Sequence, residues 1–172
     1  MPIVVLNAAD PMTDGRQSER ALAIRQGVAR LLNQSGATLI AELPLATGRR
    51  ADLVALDAKG RFSIVEIKSS PEDLRADSKW PDYRAHCDLF FFATLPDVPA
   101  AIFPPGEGLI VADAHGGEIL RPAREILMPS ATRRAMTLRF ARAAAGRLER
   151  IVLHHEARGL ELPDGIEEIG GD

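Results

Sequence analysis

Three charged residues, Asp52, Glu66 and Lys68, stand beside two apolar runs at a spacing that could bind a metal ion. The two runs are separated by Ala58-Lys59-Gly60, a three-residue loop that ends in glycine, as hairpin loops prefer. Because side chains alternate between the two faces of a strand, this hairpin places Asp52 directly opposite Glu66 and puts Lys68 on the same face. The far end of the hairpin therefore gathers two carboxylates and one ammonium group.

A third carboxylate joins this group if Ala46-Thr47-Gly48 closes the preceding hairpin, because that loop places Glu42 opposite Asp52. Like charges that face each other across a sheet destabilise it by up to about 1 kcal/mol, and burial adds a desolvation cost. Lys68 supplies one compensating charge, and a divalent metal ion would supply the rest. The alternative is an exposed salt bridge at a strand end, with no metal.

The chemistry that such a group supports is phosphodiester hydrolysis. Two or three carboxylates, completed by water, are ligands that Mg²⁺ or Mn²⁺ accepts. The ion polarises a phosphodiester and lowers the pKa of an attacking water molecule. Lys68 would hold that water or a phosphate oxygen and neutralise charge in the transition state. Arg49 and Arg50, at the mouth of the same strand, would contact the phosphate backbone.

The elements that must position these residues follow from turn residues and hydrophobic periodicity. Thr13 or Asp14 can cap a first helix that ends near Gln34. Ser69 or Ser70 can cap a second helix, which the sequence breaks or restarts near Trp80-Pro81. The other predicted elements are strands at Thr38–Leu45, Ala51–Asp57, Arg61–Ser69, Leu89–Thr94, Gly108–Ala112 and Glu118–Leu120, and a long helix at Ala131–His155.

The spacing of Asp52 from Glu66-Ile67-Lys68, within a helix–strand–strand–strand–helix–strand order, resembles the PD-(D/E)XK nuclease superfamily. The resemblance covers about residues 14–94, although Ala51 replaces the usual proline before the aspartate. It implies an α/β, restriction-endonuclease-like fold with a central mixed sheet and helices on both faces. It also implies that Asp52, Glu66 and the backbone carbonyl of Ile67 bind the metal, and that Lys68 assists catalysis.

A longer set of motifs is similar to the MmcB family of bacterial DNA-repair proteins. The family implies a metal-dependent nuclease that acts on DNA, with repair proteins as possible partners. The alternative is a nuclease-fold module with little or no activity that binds DNA or a repair partner. The sequence leaves open the preferred DNA structure and the oligomeric state. The motifs are Gly48-Arg49-Arg50-Ala51-Asp52-Leu53, Glu66-Ile67-Lys68-Ser69-Ser70, Asp77-Ser78-Lys79-Trp80-Pro81-Asp82-Tyr83, Cys87-Asp88 and Gly108-Leu109-Ile110-Val111-Ala112-Asp113.

Further residues are candidates for accessory roles. Glu19 and Gln26 share one line of the first helix, at the rim of its apolar arc, and either could reach the metal. Lys79 could contact a phosphate, and Trp80 or Tyr83 could stack on an unpaired base. The alternative for the two aromatic residues is that they anchor a short helix onto the sheet.

The long helix combines an apolar stripe with basic residues. We expect its arginines, together with Arg49 and Arg50, to contact phosphates rather than bases. The predicted stripe is Met136, Phe140, Ala144, Leu148 and Ile151, and the predicted opposite face carries Arg139, Arg142 and Arg150.

Length and composition bound the remaining possibilities. The 172 residues, 46% of them hydrophobic, predict a single domain with an extension at about 108–155 and an acidic tail at 156–172. The single cysteine, Cys87, excludes an intramolecular disulfide and a cysteine-based zinc site. The absence of a long apolar run or a recognisable signal segment favours a cytoplasmic protein with no membrane contact.

Overall fold

A six-stranded mixed sheet organises the chain, and the computed structural model describes residues 18–163. The strands lie in chain order across the sheet; the two central pairings, β3–β4 and β4–β5, are parallel and the other three antiparallel. The elements are α1 (Glu19–Gln34), β1 (Thr38–Pro44), β2 (Arg50–Leu56), β3 (Phe62–Ile67), α2 (Pro71–Ala76), a 3₁₀ helix (Trp80–His86), β4 (Leu89–Thr94), a short 3₁₀ turn (Ala100–Ile102), β5 (Gly108–Asp113), β6 (Gly116–Arg121) and α3 (Ser130–Arg158).

Both hairpin loops form as predicted. Gly48 and Gly60 close them with φ values of 81° and 78°, which glycine adopts without the strain that a Cβ atom would bring. The loops fix the strand register, so that Ile40 faces Val54 and Val54 faces Ile64. The register on which the site prediction depends is thereby confirmed for the paired parts of the strands.

Helices cover both faces of the sheet, as predicted for an α/β fold of this type. On one face α1 packs on strand residues including Leu53, Val65 and Ile110. On the other face the 3₁₀ helix at 80–86 and the first half of α3 cover a core rich in phenylalanine. Glu66 shares this second face with its alternate neighbours Phe62 and Ile64.

The first helix starts later than the sequence analysis predicted. Ser18 is its N-cap, and the Ser18 hydroxyl accepts a hydrogen bond from the amide of Ala21 at 3.2 Å. Thr13 and Asp14, the predicted caps, lie outside the described residues. Ser18 precedes Glu19 directly, so the helix gains both a side-chain cap and an acidic first turn.

The predicted stripe on α3 holds only for its first two members. Met136 and Phe140 are buried, whereas Leu148 is 46% exposed. Steps of four residues drift by about 40° each around a helix with about 100° per residue, so a stripe at that spacing turns away from the sheet. Ala143 packs against the core instead, and Arg147 donates hydrogen bonds to the carbonyls of Ala41 and Glu42.

Asp88 ties the start of β4 to its surroundings. It is fully buried, and its carboxylate accepts hydrogen bonds from the amides of Phe62 and Met128 at 2.8 and 2.9 Å. The Arg133 guanidinium of α3 contacts the same carboxylate. One side chain therefore joins β3, β4, α3 and the segment that precedes α3.

The described part of the chain includes no helix that is both long and apolar enough to cross a membrane. The acidic tail is described as far as residue 163.

Candidate active site

The site forms where β2 and β3 stop pairing. The paired residues end at Leu53 and Val65, one position before Asp52 and Glu66. Beyond that point, side chains satisfy the backbone: an Asp52 carboxylate oxygen accepts a hydrogen bond from the amide of Ile67 at 2.8 Å, and the amide of Asp52 faces Glu66 Oε1 at 3.4 Å. The two strands therefore separate at the acidic pair, and each carboxylate is held in the gap.

The two carboxyl groups converge as the hairpin register predicted. They lie close enough that the charge of Asp52 raises the pKa of Glu66. Glu66 is 4% exposed, and Asp52 is half-buried. The expected third ligand, the backbone carbonyl of Ile67, belongs to the same strand end.

Lys68 continues β3 on the face of Glu66. Its ammonium nitrogen lies 3.7 Å from Glu66 Oε2, and the residue is only 8% exposed. Its backbone is fixed from both sides, because its amide donates to the carbonyl of Ala93 and its carbonyl accepts from the hydroxyl of Thr94. The structure thus brings together Asp52, Glu66 and Lys68.

Asp77 is a site residue that the sequence analysis did not single out for this position. Its Oδ2 lies 2.6 Å from Lys68 Nζ. Its Oδ1 accepts hydrogen bonds from the amides of Lys79 and Trp80 at 2.7 and 3.2 Å, which fixes the side chain at the start of the 3₁₀ helix. The only local signal is an Asp two residues before Lys79, typical of an Asx turn, and it does not reveal the contact with Lys68.

Burial and mutual proximity shift the pKa values of the acidic pair. Burial raises the pKa of Asp52, and the amide of Ile67 and the charge of Lys68 only partly offset that effect. Burial and the neighbouring charge of Asp52 raise the pKa of Glu66. Without a cation the two carboxyl groups retain a proton more readily than free carboxylates do, and a divalent ion would replace that proton.

Lys68 and Asp77 are charged partners. Burial lowers the pKa of Lys68, but the hydrogen bond with Asp77 and the charges of Glu66 and Asp77 outweigh it, so the pKa is raised overall. For Asp77, burial raises the pKa, and the hydrogen bonds from Lys68 and the backbone amides lower it below the ordinary value. The ammonium group therefore stays protonated beside the carboxyl pair.

Glu42 does not join Asp52, in contrast to the expectation from register alone. Its neighbours Ala41 and Leu43 pair with β2, but Glu42 itself has a φ of 51°, in the left-handed region. This conformation interrupts the ladder, and the Glu42 carboxylate lies 3.4 Å from the guanidinium of Arg50. The charge of Glu42 is therefore paired with that of an arginine.

The acidic donor set therefore reduces to Asp52 and Glu66. Within residues 18–163, no group of three or more His, Cys, Asp and Glu side chains is arranged to hold a metal ion. Two carboxylates still fit Mg²⁺, which commonly takes one or two carboxylates and retains several waters. The residues present are thus compatible with the expected ion.

The two remaining candidates for accessory roles lie on α1. Within residues 18–163, neither Glu19 nor Gln26 forms a hydrogen bond or an ion pair with Asp52, Glu66 or Lys68. Arg20 links α1 to this region instead. Its Nε donates to the carbonyl of Ser69 at 3.1 Å, next to Lys68, and its guanidinium pairs with Asp97 at 2.7 Å.

The two aromatic candidates pack into the core, as in the anchoring interpretation. Trp80 stacks on Phe90 with a centroid separation of 5.6 Å and lies edge-on to Phe92 at 5.4 Å. Tyr83 is 8% exposed, and its hydroxyl donates to the carbonyl of Arg50 at 3.2 Å. Both rings therefore anchor the 3₁₀ helix onto the sheet, and Tyr83 also contacts the backbone of β2.

The basic candidates remain accessible. The guanidinium of Arg49 pairs with Asp82 at 2.9 Å, and its side chain is 34% exposed. The side chain of Arg50 is 55% exposed, and Lys79 is exposed next to the Asx turn of Asp77. Of these three residues, Arg50 lies two positions before Asp52 on β2, and its charge acts on the Asp52 carboxyl group.

Comparison with known proteins places this chain in a family. The chain resembles a protein of unknown function from Silicibacter pomeroyi, with 34% identity over 88% of this chain and 97% of that chain, and a TM-score of 0.73. No curated protein matches the chain. The family model of MmcB-like DNA repair proteins matches residues 8–155. The chain therefore belongs to the MmcB-like family of DNA repair proteins.

Proposed function

We propose that this protein is a divalent-metal-dependent nuclease that hydrolyses DNA phosphodiesters during repair. The observation that carries the proposal is the burial of Asp52 and Glu66 side by side, with Lys68 adjacent, where β2 and β3 separate. Membership of a DNA repair family supports DNA as the substrate.

Each residue of the site has a defined role in this proposal. Asp52, Glu66 and the carbonyl of Ile67 bind Mg²⁺ or Mn²⁺, which supplies Lewis-acid activation of the phosphodiester and of a water molecule. Lys68, charged and held in place, faces the scissile phosphate or the attacking water and stabilises developing negative charge. Asp77 keeps the ammonium group of Lys68 in position.

Positive side chains bordering the site supply phosphate contacts. The three side chains are accessible and do not pack in the core; they belong to Arg49, Arg50 and Lys79. Contacts of this kind orient a strand without reading its sequence, so we expect the enzyme to depend on DNA structure more than on base sequence.

A DNA-binding module with little turnover is the second candidate. It is favoured by the short contact between Lys68 and Asp77, because an ammonium group engaged at 2.6 Å is less available to a phosphate or a water molecule. In that case the protein would bind DNA or a repair partner through the same surface.

A cleavage assay separates the two candidates. Labelled single-stranded, forked, nicked and junction DNAs are incubated with Mg²⁺ or Mn²⁺ and the unaltered protein, Asp52→Asn, Glu66→Gln or Glu72→Gln. Glu72 is an exposed acid on α2 and serves as the matched control. We expect cleavage that both site variants abolish and the control retains. Metal-dependent binding without cleavage on any substrate would support the module.

A further inference from the structure

Residues 142–150 of α3 and the end of the β1–β2 hairpin line a groove of about 350 Å³, here called the α3 groove. Four arginines and one acidic residue contribute to its walls, which gives the groove a net positive charge. These residues are Arg50, Arg142, Arg147, Arg150 and Glu42, and Gly146 lies among them on the helix.

The arginines of the α3 groove divide into two pairs. Arg147 donates hydrogen bonds to backbone carbonyls of β1, and Arg50 pairs with Glu42. These two residues hold the walls together. Arg142 and Arg150 are exposed, and neither forms a hydrogen bond or an ion pair with another residue of the range 18–163. Eight residues apart, they are separated by about 12 Å along the helix.

Gly146 lies between these two arginines in the interior of a helix, where glycine is destabilising relative to alanine. Apart from its chain neighbours and the adjacent backbone of its own helix, a Cβ atom added at Gly146 would meet no described atom within 4 Å. Packing within the described chain therefore does not require a glycine there. Gly27 of α1 shows the contrast, because a Cβ atom at that position would clash with the backbone oxygens of Asp113 and Gly116. A glycine with open space above it lets a ligand approach the helix backbone closely.

The groove adjoins the acidic pair. Arg50 lines the groove and lies two residues before Asp52 on β2. Side chains two residues apart lie on the same face of a strand, so Arg50 and Asp52 extend to the same side of β2. A chain of phosphates that follows the groove would therefore pass Arg50 and arrive at Asp52.

We propose that the α3 groove binds the sugar–phosphate backbone of one DNA strand, with Arg142 and Arg150 on separate phosphates and the backbone passing over Gly146. Guanidinium groups bind phosphate oxygens in a bidentate manner, and such contacts tolerate any base sequence. The lining favours a nucleic acid over an acidic peptide, since it lacks the aromatic anchors that peptide interfaces use. The path towards Asp52 rests on the proposed function, whereas the phosphate contacts need no metal.

Binding is measured by fluorescence anisotropy in EDTA, so that the result does not depend on metal binding or cleavage. The probes are a labelled 20-nucleotide oligo-dT strand and a 20-base-pair duplex. The test variants are Gly146→Leu and the double variant Arg142→Gln/Arg150→Gln. The matched controls are Ala145→Leu and Arg134→Gln, which alter exposed positions of α3 outside the groove.

The double variant should weaken strand binding by about tenfold and make the log–log salt slope about 1.4 shallower on the single strand, as expected for two lost phosphate contacts. Gly146→Leu should weaken binding by a similar factor while its melting temperature rises, because leucine favours a helix more than glycine does. Both controls should bind as the unaltered protein does. If the duplex binds more tightly than the single strand at equal salt, the strand that the groove binds is one strand of a duplex.

Several outcomes would overturn the proposal. These are unaltered binding by Gly146→Leu, an equal loss in Arg134→Gln, no binding by the unaltered protein, or equally effective competition by polyglutamate. The nuclease proposal is tested separately. Normal strand binding without cleavage in Mg²⁺ would support the groove as a binding site and contradict nuclease activity. Cleavage at the normal rate in the double variant would contradict the inference that the bound strand runs from the groove to Asp52.

Discussion

The ammonium nitrogen of Lys68 lies 2.6 Å from Asp77 Oδ2 and 3.7 Å from Glu66 Oε2, so its nearer partner is the aspartate of the following helical segment. Asp77 is itself fixed by two backbone amides. The loop after α2 therefore determines where the positive charge of the site lies, although the two acidic residues belong to the sheet.

Replacing Asp77 by Asn should destabilise the metal-free protein. The amide oxygen can still accept from the amides of Lys79 and Trp80, so the change removes mainly the negative charge beside Lys68. We expect the free energy of unfolding to fall by about 2 kcal/mol, below the loss for a fully buried pair because Glu66 remains as a partner. Urea unfolding measures it, with Glu72→Gln as an exposed control that should change by less than about 0.5 kcal/mol. Equal effects in the two variants would show that the Lys68–Asp77 contact contributes nothing.

Divalent metal should stabilise the protein through Asp52 and Glu66. At a concentration of one hundred times Kd, a ligand that binds only the folded state adds about 2.7 kcal/mol to the free energy of unfolding. Melting temperatures with Mg²⁺ or Mn²⁺ should therefore rise for the unaltered protein and for Glu72→Gln, but not for Glu66→Gln. Asp52→Asn is preferred to alanine, because an amide oxygen still accepts the hydrogen bond from Ile67. A metal-dependent rise that persists in both site variants would place the ion elsewhere.

Loss of the Asp88 carboxylate should be among the most damaging single changes to the fold. Alanine at this position leaves the amides of Phe62 and Met128 without their buried acceptor and separates Arg133 from its partner. We expect the free energy of unfolding to fall by about 4 kcal/mol in Asp88→Ala. In Asp88→Asn, which keeps one acceptor oxygen, it should fall by about half as much. Chemical denaturation of the two variants measures the difference. Equal stabilities would show that the carboxylate does not join these elements.

Acid should remove the contribution of Asp88. Burial raises the pKa of Asp88, but hydrogen bonds from Arg133 and two backbone amides lower it below the value of 3.8 for an unperturbed aspartate. The stabilisation is complete above the unfolded pKa and is lost as the pH falls through the lower folded pKa. The stability difference between the unaltered protein and Asp88→Asn should therefore shrink from about pH 5 to about pH 2. A constant difference across that range would contradict the shift.

The hairpins show which parts of the fold the sequence could predict. Loop length and a terminal glycine are local features, and they determine the register that brings Asp52 to Glu66. Regular strand conformation would also place the Glu42 side chain beside Asp52, but the carboxylate pairs with Arg50 instead. Local sequence periodicity does not predict the left-handed backbone at Glu42. At this position Arg50 pairs with the Glu42 carboxylate, and Arg147 donates a hydrogen bond to the Glu42 carbonyl.

Long-range contacts account for the other differences. The pairing of Lys68 with Asp77 depends on how the segment after α2 folds back onto β3, which residue spacing does not specify. The orientation of α3 depends on the strand edge that it crosses, so Ala143 and Arg147 replaced the predicted Ala144 and Leu148 as sheet-facing residues. Trp80 and Tyr83 were ambiguous in sequence because aromatic residues serve both stacking on bases and packing in cores.

The central claim, that Asp52 and Glu66 share a divalent cation, is tested most directly by soaking crystals with Mn²⁺ and computing an anomalous difference map. We predict a peak within bonding distance of a carboxylate oxygen from each residue, with no such peak in crystals of Glu66→Gln. A map without a peak between Asp52 and Glu66 at saturating Mn²⁺, or a peak that persists in Glu66→Gln, would contradict it.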